Sequence, residues 1–121
     1  MKSPMKGSEG IISQGMLNST NPAYRTMLTC HRELVTALMD NVLEVAGILL
    51  SKLLIAEDIE EQMLLHSIPR EKATILVSAV RNRIKIAPRR FDEFVLALKA
   101  LTWTEDIVET LLSTYRGRFM Q

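Results

Sequence analysis

Residues 72–101 carry two helical apolar stripes back to back, parted by a single proline. Ala73, Leu76, Val77, Val80 and Ile84 recur at i, i+3, i+4, i+7 and i+11, the spacing of one face of an α-helix. Pro88 disfavours helix for the residue before it yet suits the first turn of a new one. The second stripe follows at once in Phe91, Phe94, Val95, Leu98 and Leu101. Two amphipathic helices with so short a break must fold back on each other, each covering the other's apolar face. This constraint points to a helical bundle.

The rest of the chain supports six helices. Asn21-Pro22 is a helix start, with an Asn cap and proline at the first helical position. A first helix is expected over residues 22–40, with Leu28, Leu34, Val35 and Leu38 inward. A second covers residues 42–54 through Val42, Val45, Ala46, Leu49, Leu50 and Leu53. Gly47 in its middle is read as a place where a neighbouring helix approaches closely, offsetting a cost of up to ~1 kcal/mol against alanine. The third spans residues 56–65, with Ile59, Met63 and Leu64 inward and acids at its positive end. Helices four and five occupy residues 70–85 and 88–100. A sixth is capped by Thr102 or its rival Thr104, buries Ile107, Val108, Leu111 and Leu112, and ends at Gly117. Residues 1–21 and 117–121 are expected to be tails. Ile11, Ile12, Met16 and Leu17 are candidates to dock on the domain surface.

This residue order resembles a caspase recruitment domain (CARD), a member of the death-fold superfamily. In that family a Lys-Ala pair opens helix four, paired aliphatics and a basic stretch follow, and Phe-x-x-Phe-x-x-x-Leu builds helix five. The matching residues are Lys72-Ala73, Leu76-Val77, the basic run 81–90, and Phe91, Phe94 and Leu98, with Trp103 just beyond. Two departures stand out. Ile55-Ala56 replaces the family's Thr or Ser cap of helix three. No glycine follows helix four, which is therefore expected to run about one turn longer than in compact members. The resemblance implies an all-α, six-helix antiparallel bundle of the death-fold (Greek-key) type over residues 22–116, whose first helix is often kinked.

The formal charge is +1, from 15 basic and 14 acidic residues, which gives no general attraction to nucleic acid or an anionic membrane. The clustering is uneven. Four of the five residues 57–61 are acidic, whereas residues 81–90 hold five basic residues and no acid. The resemblance implies that helices one and four form a basic face and helices two and three an acidic one on roughly the opposite side. The basic face would comprise Arg32, Lys72, Arg81 and Arg83, and the acidic face Glu44, Glu57, Asp58, Glu60 and Glu61. Complementary faces on opposite sides make head-to-tail contacts, which propagate into rings or filaments. Solvated helix faces also carry charges with no such role. Arg89 and Arg90 are expected to act locally at the start of helix five, and Trp103 to close the end of the bundle by packing.

No catalytic constellation, cofactor motif or metal-ligand spacing is readable. His31 and His66 lack metal-site spacing, and adjacent Cys30 and His31 point about 100° apart on a helix. With a single cysteine and only a short, lysine-interrupted aliphatic run at residues 48–56, the expected compartment is the cytoplasm. The functional expectation is a homotypic interaction module that recruits other CARDs or copies of itself, in cell death or innate immune signalling. The alternatives are another death-fold adaptor (death, death-effector or pyrin type), a nucleic-acid-binding helical domain using residues 81–90, or an unrelated six-helix bundle. Residues 104–115 lack the Arg-x-Asp-Leu motif of death-effector domains.

Overall fold

The stripe of residues 73–84 is the floor on which the other helices rest. It lies on α4 (Pro69–Ile86), whose Ala73, Leu76, Val77, Val80 and Ile84 are all buried. Pro69 occupies the first turn, Glu71 sits near the positive end of the helix dipole, and Arg83 and Lys85 sit near the negative end. The helix runs a residue further at each end than the sequence predicts.

The computed structural model describes residues 21–119, so the predicted tail and its candidates Ile11, Ile12, Met16 and Leu17 lie outside the described residues. Besides α4, the described elements are α1a (Pro22–Thr29), α1b (His31–Leu38), α2 (Val42–Ser51), α3 (Glu57–Leu64), α5 (Arg90–Lys99) and α6 (Glu105–Phe119). A 3-10 turn, Met39–Asn41, links α1b to α2. Counting α1a and α1b as one broken helix, the described chain is an all-helical bundle of six helices. α4 packs against α1a, α1b, α2, α3 and α5, while α6 packs against α1a, α1b and α5.

The first helix is anchored by Asn21. Its side-chain Oδ1 accepts from the Tyr24 amide at 3.0 Å, the expected N-cap. Its Nδ2 donates to the carbonyls of Ile84 at 3.5 Å and Lys85 at 3.3 Å, near the end of α4. One side chain thus serves orphan groups at two helix ends. Lys85 lies over the Tyr24 ring, 5.5 Å from its centroid, at the same junction. The helix breaks at Cys30, although hydrogen bonds from Cys30 to Thr26 and from Leu34 to Cys30 continue across the break. Thr26 donates its hydroxyl to the Pro22 carbonyl at 2.7 Å, a back-bond of the kind that bends helices. The inward stripe is Ala23, Thr26, Met27 and Cys30, so Leu28, about 100° from Met27, is 43% exposed instead of buried.

α2 ends three residues earlier than the predicted boundary. The Leu53 amide donates to the Leu50 carbonyl and the Leu54 amide to the Leu49 carbonyl, a Schellman closure. Leu53 takes the left-handed position with φ 60°, ordinarily given to glycine. The helical period stops there: Leu53 is 70% exposed, and Leu54 and Ile55 enter the core in its place. Gly47 does not mark a close helix approach, because a Cβ at that position meets nothing within 4 Å. In α3, Met63 is buried and Leu64, predicted to face inward, is 61% exposed.

α5 begins only at Arg90, after a turn through Pro88 and Arg89. Arg90 donates to the Glu93 carboxylate at 2.6 Å and to the Leu53 carbonyl, tying the start of α5 to the end of α2. Thr104, not Thr102, directly precedes α6. Its hydroxyl turns back to the Leu98 and Leu101 carbonyls at the end of α5. α6 continues through Gly117 to Phe119, so the glycine does not stop it. Phe91 stacks on Tyr115 with centroids 4.9 Å apart and joins α5 to α6.

By length and composition the run His31–Ser51 is apolar enough to cross a membrane. It is divided by the turn at Met39–Asn41, and its Leu34, Leu38, Val45, Ala46 and Leu49 are core residues. Each fully buried aliphatic or aromatic side chain contributes about 1.5–3 kcal/mol, so this run supplies much of what holds the bundle together.

Two substitutions test this backbone description by urea unfolding. Gly47→Ala adds about 0.5–1 kcal/mol of stability, because an exposed mid-helix glycine only costs entropy. Leu53→Gly adds about 1 kcal/mol by relieving the left-handed strain, with little apolar burial lost. A loss of stability in the first variant means that Gly47 is a packing position after all.

Candidate protein-interaction surface

The charged residues selected from the sequence are distributed over four elements. Arg32 is exposed on α1b, while on α4 Arg83 is exposed and Lys72 and Arg81 are half-buried. On the acidic side Glu44 is exposed on α2, and Glu57, Asp58 and Glu61 are exposed on α3 with Glu60 half-buried. α3 reads EDIEEQML, and two of its eight residues anchor it: Met63 is buried and Ile59 is half-buried. A helix seated by so few apolar residues presents its remaining faces, which here are acidic. α4 directs its apolar stripe inward, which leaves its arginines at the rim and the surface.

Among the described residues, Glu44 is the one of these nine with a side-chain hydrogen bond. Its carboxylate accepts from the Trp103 indole N–H at 3.1 Å, joining α2 to the turn between α5 and α6. Among the described residues, the side chains of Arg32, Lys72, Arg81, Arg83, Glu57, Asp58, Glu60 and Glu61 form no hydrogen bond or ion pair. Most surface ion pairs contribute little, so the interest lies elsewhere. These eight charges are available to another molecule.

The two sets do not stand cleanly on opposite sides, as the resemblance implies; the fold brings parts of them to shared edges. Because α3 packs on α4, Asp58 and Arg83 line one groove of about 330 Å³, floored by Leu54, Ile55 and Ile59. Glu44 and Lys72 line a second groove of about 310 Å³, with Asp40, Leu43 and Pro69. Arg32 reaches neither groove. A third groove, about 520 Å³ between the end of α5 and α6, includes Lys99, Glu105, Glu109 and Arg116 and none of the nine.

Trp103, expected to close the end of the bundle by packing, does so only in part. It is 36% exposed and acts through its N–H, which leaves its ring partly open to solvent. His31 was also missed as part of the surface. It precedes Arg32 on α1b and is half-buried, and its Nδ1 is buried without a hydrogen-bond partner, as is Nε of Arg81. Burial, then the Arg81 charge, pushes the His31 pKa below its ordinary value. No sequence signal pairs His31 with Arg81, since they stand on different helices. Among the described residues no three His, Cys, Asp or Glu side chains are grouped to hold a metal ion.

Comparison of the chain with protein-family models, curated proteins and solved structures finds no match.

The histidine gives a signed pH prediction. A His pKa lowered by folding leaves stability intact above the unfolded value of about 6.5, with a loss as pH falls toward and through the folded value. The melting temperature should drop from pH 7.5 to 5.5 in the wild type, and His31→Asn should reduce that drop. An unchanged slope in the variant assigns the acid sensitivity to other groups.

Proposed function

We propose that this chain is a homotypic interaction module of the death-fold, CARD-like type. Its basic surface on α1b and α4 docks on the acidic surface of α2 and α3 of a second such domain, either another copy or a different partner. The observation that carries this reading is the block of unpaired charge. Acids crowd α3, bases crowd α4, and eight of the nine selected side chains have no hydrogen-bond or ion-pair partner among the described residues. Opposed charges of this kind steer encounter and set specificity, and their attraction weakens with salt. A heterologous contact between different faces of identical molecules leaves each end free to bind again, so the assembly grows.

Three further features support the reading. The first helix breaks at Cys30, as the resemblance leads one to expect. α2 meets α5, α3 meets α4, and α1a meets α6, a set of contacts compatible with a Greek-key bundle. Phe91, Phe94 and Leu98 are buried, which suits the helix-five pattern. The recruitment of signalling partners in cell death or innate immunity rests on the resemblance.

Nucleic-acid binding by residues 81–90 is the weaker reading. Arg90 is committed to Glu93 and Leu53, Lys85 lies over Tyr24, and Arg81 is half-buried. Two of the five bases in the run are thus engaged within the domain, and the domain lacks the positive excess usual in such proteins.

The test uses exposed positions on each surface. Glu57→Arg/Glu61→Arg and Arg32→Glu/Arg83→Glu are followed by light scattering and sedimentation against concentration and salt. The expected result is salt-sensitive association of the wild type, monomeric behaviour of each variant, and reassociation when the two are mixed. Equal association by both variants and wild type would sink the two-surface reading, as would a monomeric wild type that captures no second domain of this kind.

A further inference from the structure

We propose that residues 11–17 of this chain dock in the groove between α3 and α4, and that they cover Asp58 and Arg83 when they do. The docking stands apart from the homotypic reading above, whereas its effect on association rests on that reading.

The groove is the first observation. It holds about 330 Å³ above a floor of Leu54, Ile55 and Ile59. Its α4 wall is Ala79, Asn82, Arg83 and Ile86, which recur at i, i+3, i+4 and i+7 and so share one face. Ile86 is 83% exposed at the end of its helix. A single exposed aliphatic is ordinary, but one that rims an apolar groove enlarges the surface a second segment can cover.

The point where the described chain begins is the second. Asn21 is latched to the same end of α4, through its bonds to the carbonyls of Ile84 and Lys85, the two residues before Ile86. The residues that precede Asn21 therefore set out beside the groove. Leu17 lies four residues back, a reach of up to about 14 Å, and a helix with its side chains is about 10–12 Å across. The groove at Pro69 and Lys72 lies at the opposite end of α4, about 25 Å away along the helix axis. The third groove opens at Thr102 and Thr104, on either side of Trp103, whose bond to Glu44 ties that mouth to the same far end.

The segment itself is the third. Ile11, Ile12, Met16 and Leu17 are separated from Asn21 only by the polar residues Asn18, Ser19 and Thr20. Before them stand Lys2, Lys6 and a single acid, Glu9. The α3 wall of the groove is the acidic one, with Glu57, Asp58 and Glu61 exposed. Aliphatics meet an apolar floor while lysines meet acids, and the two matches run in one direction along the chain. A short tether raises the local concentration of such a segment to the order of millimolar, so a contact too weak to hold a free peptide still closes.

Asp58 belongs to the acidic surface and Arg83 to the basic one, and both line this groove. A docked segment covers one residue of each surface at once. The full chain then associates less readily than its charges allow, and displacing the segment frees both surfaces together.

The experiment uses the full chain with a nitroxide on Met16→Cys; Cys30 is buried and stays unlabelled. Amide signals are recorded in dilute solution, with melting curves for each variant to verify folding. The label should erase the signals of Ile59, Ala79 and Ile86 and spare those of Leu43, Val108 and Leu112. Adding Ile12→Asp in the segment, or Ile86→Asp at the exposed rim of the groove, should restore them. Mixing labelled chains with unlabelled, isotope-enriched ones should leave the signals intact, as a contact within one molecule requires. Loss centred on Val108 and Leu112, loss spread evenly over the domain, or loss in the mixed sample would overturn the docking. Sedimentation then compares wild type with Ile12→Asp/Met16→Asp, which should associate several-fold more tightly. Equal association despite observed docking removes the restraint on assembly. If neither chain associates, the two-surface reading fails while the docking is still decided by the amide signals.

Discussion

The exclusion of water from one face of α4 is the interaction on which the rest of this bundle depends. Five residues, Ala73, Leu76, Val77, Val80 and Ile84, line that face, and all are buried. An 18-residue helix cannot hide such a stripe alone, so five other helical segments pack against it. α3 illustrates the dependence. Its own apolar content is small, and Met63 and Ile59 seat it on the structure that α4 provides. The acidic residues of α3 are therefore held beside the basic residues of α4 by apolar packing, and charge decorates an arrangement that hydrophobic burial imposes.

Polar bonds complete the joints at the helix ends. Asn21 satisfies groups of both α1a and α4, Arg90 joins α5 to the carbonyl of Leu53, and Thr104 turns its hydroxyl onto the last carbonyls of α5. Each joint links an element to another distant in sequence or to the turn after it. Helix ends leave backbone groups without partners, and a short-turned bundle has little water at its buried corners to satisfy them. The same logic sets apart His31 and Arg81, where two buried nitrogens remain unpaired on a surface rich in free charge.

Several sequence expectations failed for related reasons. Leu28, Leu53 and Leu64 are apolar and were assigned inward, yet all three are exposed. For Leu28 and Leu64 the neighbouring residue, Met27 or Met63, takes the inward position, and a step of one residue turns a side chain by about 100°. For Leu53 the helix has already ended. Gly117 failed as a stop because glycine ends a helix only where the chain adopts the left-handed conformation, and no glycine in the described residues has positive φ. Trp103 adds to packing a bond that its sequence position does not reveal, from its N–H to a carboxylate of α2. Among the site residues, the exposure of Glu57, Asp58 and Glu61 was readable from the acidic run. The partial burial of Arg81 and Lys72 was not, because it depends on which helices cover α4.

By itself the sequence determined the class of structure, the number of helices, the inward stripe of α4 and the segregation of acids from bases. All of these follow from residue type and a period of 3.6, which act within a few turns of chain. The tertiary structure decided where helices stop, which of two adjacent aliphatics is buried, and which charges meet. It placed Asp58 beside Arg83 in one groove, gave Glu44 to Trp103, and brought His31 under the charge of Arg81. These relations join residues between 25 and 59 positions apart. They depend on how helices pack in three dimensions, and no local pattern encodes a contact whose two halves lie on different helices.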